Sequence, residues 1–233
     1  MNETVAARRS PVPVGVLLLA ALLSGLLALT VPHHPAVATD GHDHGPGHSA
    51  APRSNAQIAF HDQMRKLWED HVTWTRLAIV SFADGSDGFD TTASRLLQNQ
   101  ADIGDAIKPF YGKAAGEQLT SLLSDHITIA VELLQAAQAG DTARFDDVNT
   151  RWSANGEEIA DFLAAANPRF WPRDVMRAVM AGHLEQTLAE AAHELQGQYA
   201  AGVLDYEMIH EHILEMADLL SSGIMRQFPK RFH

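Results

Sequence analysis

The sequence predicts an all-α fold: an up-down bundle of about six helices built from three αα-hairpin repeats. Three observations predict it. From residue 57 onward, apolar residues recur at three- and four-residue steps, and no window alternates as a strand would. Glycine, proline and cap residues punctuate this pattern at short connections, which favours antiparallel neighbours. A polar template returns along the chain at matched spacing, as expected when a repeated unit buries a shared face.

The first helix is expected over about 56–83 and ends at Asp84-Gly85-Ser86. A second, over about 91–108, stops at Pro109. The third runs over about 114–139 to Gly140, and Asp141 caps a fourth over about 142–166 that stops before Pro168. Pro172 suits the first turn of a fifth helix over about 172–200, ended by Gly202. Asp205 caps a sixth over about 206–227, closed by Pro229.

Residues 57–233 therefore read as one helical domain, preceded by two segments of other character. Arg8 and Arg9 precede an apolar run from Val12 to about Val31, followed by Ala36-Val37-Ala38. This describes a signal peptide over 1–38, or an uncleaved membrane anchor, since the apolar run approaches the ~20 residues that span a bilayer. Either way the body is expected outside the cytoplasm, secreted or associated with the cell envelope. Residues 39–56 read as a disordered linker rich in glycine, proline and histidine, with His42, His44 and His48 as weak ligands for a transition metal.

Composition excludes several chemistries. The net charge of -12 argues against nucleic acid as a partner and against docking on anionic lipid. With no cysteine there is no disulfide, thiolate zinc site, iron–sulfur cluster or thiol catalysis. Neither GxSxG, a phosphate loop, a dinucleotide fingerprint nor HExxH occurs.

What stands out is 13 histidines and their placement. Arg95, Asn99, Asp102, Ile103 and Asp105 fall at the spacing of Arg151, Asn155, Glu158, Ile159 and Asp161, with a weaker copy in His212, Glu215, Met216 and Asp218. The preceding helices carry Asp70-His71, Asp125-His126 and His183. His71, His126 and His212 share faces with apolar residues, so they point inward. Buried polar groups need partners, and carboxylates and imidazoles on facing helices supply each other through hydrogen bonds or a shared cation. The expectation is a metal site formed by His71, His126, His183 and His212 with Asp102, Glu158 and Glu215. Sulfur-free ligands of this kind suit Zn, Cu, Mn or Fe. Asp70, Asp125, Asn99, Asn155, Asp105, Asp161, Asp218 and Glu211 are expected to orient those ligands.

A metal-binding protein for sequestration, delivery or sensing is the reading this supports. Two alternatives stay open: a metalloenzyme with an open coordination position, and a non-catalytic envelope module in which the histidines form a structural network. A pocket lined by histidine and carboxylate for an organic ligand is a further reading; the metal ion is the partner expected, with a membrane met only through an uncleaved anchor.

Residues 67–76 (LWEDHVTWTR), 95–100 (RLLQNQ), 107–112 (IKPFYG) and 227–229 (QFP) resemble a family of short bacterial helical proteins of unknown function, over about 60–229. Some members carry a glycosyltransferase label. The residues here do not support it, because a nucleotide-sugar enzyme needs a sheet and a phosphate loop or Asp-x-Asp motif.

Overall fold

The computed structural model describes residues 54–233. The proposed leader and most of the histidine-rich linker lie outside them. Six helices and one 3₁₀ turn make up the described chain: α1 (Asn55–Ala83), α2 (Phe89–Tyr111), α3 (Lys113–Ala139), α4 (Thr142–Ala166), α5 (Arg173–Leu195) and α6 (Tyr199–Gln227), then Pro229–Arg231. Each helix packs on its neighbours in sequence, and α6 returns onto α1, closing the ring. Antiparallel pairing of α1 with α6 is fixed by Ser54 Oγ donating to the Phe232 carbonyl at one end and Thr73 meeting Tyr206 further along. None of the described helices is long and apolar enough to cross a membrane.

Local signals explain most boundaries. Ser54 and Gln57 form a reciprocal capping box, so α1 begins inside the segment read as linker. Gly140 ends α3 in the left-handed conformation, and Asp141 caps α4 by accepting from the Arg144 amide.

Three expected boundaries are corrected. Pro109 does not stop α2, which continues to Tyr111. Proline lacks only the hydrogen bond to the Asp105 carbonyl, and Asp105 is exposed, so the bond forgone is not one in the core. The break between the last two helices falls at Gly197, whose φ of 70° ends α5 at Leu195 rather than near 200. Gly202 and Asp205 are therefore inside α6, buried, and Asp205 is not a cap.

The core is one apolar cluster fed by all six helices, including Trp68, Ile103, Leu123, Trp152, Ile159, Met180, Ile213 and Met216. Burying side chains of this size contributes about 1.5–3 kcal/mol each. Trp68, Trp152 and Trp171 belong to it.

Candidate functional site

The three hairpins repeat one hydrogen bond. Asn99 Nδ2 on α2 donates to the Leu67 carbonyl at 3.0 Å, and Asn155 Nδ2 on α4 donates to Leu122 at 3.1 Å. His212 Nε2 on α6 donates to Val179 at 3.0 Å. The paired residues are 32, 33 and 33 apart in sequence. Each accepting carbonyl belongs to the residue four before a histidine: His71, His126 or His183. Threefold recurrence of one polar anchor sets the three first-helix histidines at the same height in the bundle.

Those histidines are buried and gathered in the core. The His71 and His183 ring centroids stand 5.6 Å apart, and those of His126 and His183 stand 6.3 Å apart. His126 Nδ1 donates to Asn155 Oδ1 at 2.9 Å, which leaves its Nε2 with a free lone pair. Gln100 Nε2 donates to His71 Nδ1 at 3.3 Å. Trp68 meets His71 edge-on, and Trp152 stacks on His126 at 5.1 Å. His183 Nδ1 has no partner.

Desolvation keeps all three imidazoles neutral at neutral pH. Burial is the main cause for each, holding His71 down to about 3 and His126 down to about 4. Burial, and then the nearness of His71, His126 and His212, push His183 well below the usual histidine range. Orphaned polar atoms collect around these rings: Trp68 Nε1, Gln100 Oε1, Trp152 Nε1 and His183 Nδ1 are buried without hydrogen bonds. Such atoms are uncommon in folded proteins, and a concentration of them marks a special site.

The remaining expected ligands lie elsewhere. His212 is half-buried and occupies the position of Asn99 and Asn155 in its repeat, committed to a backbone carbonyl. The carboxylates are separated from the imidazoles because their helical positions face outward. Asp102 is bound by Gln98 and faces Arg95 at 3.8 Å, while Glu158 and Glu215 are exposed. Nor do most of the expected orienting acids touch the histidines. Asp70 pairs with Lys66 and faces Arg95, Asp105 pairs with Lys108, and Asp161 is clamped by Arg173 and Arg177. Asp218 pairs with His61 and Arg65, and Asp125 and Glu211 are exposed. Only Asn155 bonds a core imidazole directly, and Asn99 lies against Gln100. Among the described residues, no group of three or more His, Asp or Glu side chains stands in an arrangement that could hold a metal ion.

A second polar cluster escaped the sequence reading. Arg76 on α1 donates to Glu190 at 2.7 Å, to Glu194 at 3.0 Å and to the Gly202 carbonyl at 3.0 Å. His193 pairs with Asp205 at 2.5 Å beside them, and Glu190, Glu194 and Asp205 are all buried. Burial raises the Glu190 carboxyl to about 7, against the opposing pull of Arg76. The available signal was Glu190 itself, two helical turns beyond His183 on the same apolar face. Gln100 was missed because it sits beside Asn99, outside the repeated template.

No protein-family model, curated protein or solved structure matches this chain.

Proposed function

We propose that this protein binds a transition metal ion through His71, His126 and His183, for sequestration, delivery or sensing outside the cytoplasm. The observation that carries the reading is the gathering of three neutral, buried imidazoles from three repeats among orphaned polar atoms, with His183 Nδ1 unpartnered. Metal binding needs the neutral ring, which burial supplies. Around a tetrahedral ion with Zn–N near 2.0–2.1 Å, imidazole centroids sit about 5 Å apart. The rings here are wider, at 5.6 and 6.3 Å, so loading requires them to close inward. Gln100 Nε2 is held by the Leu96 carbonyl at 2.7 Å as well as by His71 Nδ1 at 3.3 Å, so His71 would give up the longer of these bonds to turn a lone pair toward the ion.

A nitrogen-only ligand set favours zinc or copper over manganese, which prefers carboxylates. Three protein ligands leave a fourth position, so a metalloenzyme is the neighbouring reading. The test is metal content by mass spectrometry on untagged protein, with and without residues 39–56. Wild type is expected to retain one zinc or copper per chain in both forms, and His126→Ala and His183→Ala to lose it. Metal absent from wild type, or undiminished in both variants, would make the three histidines a structural network instead.

A further inference from the structure

We propose that the bundle axis holds a binding site for a small, uncharged apolar molecule of dioxygen size, beside the histidine ring. A partly open cavity of about 60 Å³ lies there. It is lined by the residues one helical turn beyond each core histidine: Thr75, Ala130 and Thr187. From there it extends to Phe89 and Phe145 in the first turns of α2 and α4, with the Trp152 ring on one wall. Those two phenylalanines occupy equivalent places in their repeats, so the cavity follows the repeat rather than an accident of packing. In the third repeat the matching position is Gly202, which makes room for the Glu194 carboxylate.

Size and lining select the occupant. An apolar cavity of about 150 Å³ stays dry and takes benzene or xenon, so one of about 60 Å³ takes a smaller apolar molecule, such as a diatomic gas or a two- to three-carbon chain. Water needs two to four polar partners. Here the only hydroxyls in the lining, on Thr75 and Thr187, already donate to the His71 and His183 carbonyls at 2.8 Å, and Trp152 Nε1 is the one unpartnered polar atom on a lining residue, short of the partners a water needs. A charged ligand would lose its hydration with nothing to replace it. An apolar gas molecule loses nothing, and Ala130, Trp152 and Thr187 place it within one turn of the imidazoles. The site stands on the cavity and not on the metal.

Dioxygen itself is the probe, through the paramagnetic relaxation it imposes on methyl protons, measured by NMR on the full chain after chelator treatment. The Ala130, Leu133 and Ala191 methyls line the cavity and are expected to relax several-fold faster per unit oxygen than Ile213 and Ile224, which are buried away from it. Xenon pressure should compete that excess away. Ala130→Val and Ala191→Val should each cut it by at least half. If the valine variants do not fold, xenon competition in wild type decides alone. An excess confined to no methyl, or one that neither xenon nor valine lowers, overturns the proposal; because the protein is metal-free, that result leaves the metal reading untouched.

Discussion

At the scale of single residues, the cost of a substitution here follows from how many partners it orphans. Asn155 serves two groups at once, accepting from His126 and donating to the Leu122 carbonyl. Asn155→Ala leaves the His126 Nδ1–H unpaired in a buried site, at about 1–3 kcal/mol, and takes the second donor from the Leu122 carbonyl, whose helical bond remains, at about 1 kcal/mol. We expect a loss of about 2–4 kcal/mol in urea unfolding. His212→Ala removes one bond at a half-buried position and should cost about 1 kcal/mol. Equal losses for the two would mean that the Asn155–His126 bond contributes nothing. The Arg76 cluster gives a second contrast. Arg76→Met strands Glu190 and Glu194 in the core, and breaking such a buried pair costs about 3–5 kcal/mol. Glu190→Gln should cost under about 1 kcal/mol near neutral pH, because the carboxyl is half protonated there and the amide oxygen still accepts from Arg76.

At the scale of helices, close approach sets tighter limits than propensity. Gly104 and Gly116 face each other where α2 crosses α3, and a Cβ on Gly104 would collide with the Gly116 carbonyl and the Thr120 side chain. Replacing an interior helical glycine with alanine ordinarily gains about 0.8–1 kcal/mol. Overpacking costs about 1–3 kcal/mol, and backbone cannot swing aside as a side chain can. Gly104→Ala is therefore expected to lower the melting temperature, and a rise would mean that the two helices separate freely. Contacts like these show why the sequence was legible unevenly. Local features were readable: the number of helices, the ring of short connections, the Gly140–Asp141 turn and the repeated Asn99 and Asn155. The Gly197 break and the buried charges were not. Glycine signals both helix ends and close packing, and only the partner, Glu194 against Gly202, tells them apart. Likewise the period of the pattern placed His71, His126 and His183 inward. It did not distinguish an acid facing the axis from one a third of a turn away, which is why Asp102, Glu158 and Glu215 were grouped with them.

For the whole molecule, the buried titratable groups set the pH range in which the metal-free fold persists. The histidines have depressed folded-state values, so the unfolded chain binds protons more readily and stability falls as pH drops below about 6.5. Between about pH 7 and pH 5, His71 and His126 each remove on the order of 2 kcal/mol, and His183 acts in the same direction. Glu190 acts in the opposite sense. Its folded value is raised to about 7, so its contribution is complete below the ordinary carboxylate range and fades as pH rises through neutrality. Over the same interval it returns about 2 kcal/mol. His71 and His126 together outweigh that return by about 2 kcal/mol, to which His183 adds, a sizeable part of the roughly 5–15 kcal/mol that holds a typical domain. Urea midpoints at the two pH values should therefore fall sharply toward acid. Glu190→Gln removes the compensating proton uptake and should deepen the fall by about 2 kcal/mol. His126→Gln should make it shallower by a similar amount, since an amide does not charge. A midpoint that stays level from neutral to mildly acidic pH would mean that the imidazoles find water or counter-charge before the fold opens, and the histidine ring would then not be the dry, neutral set of lone pairs on which metal binding depends.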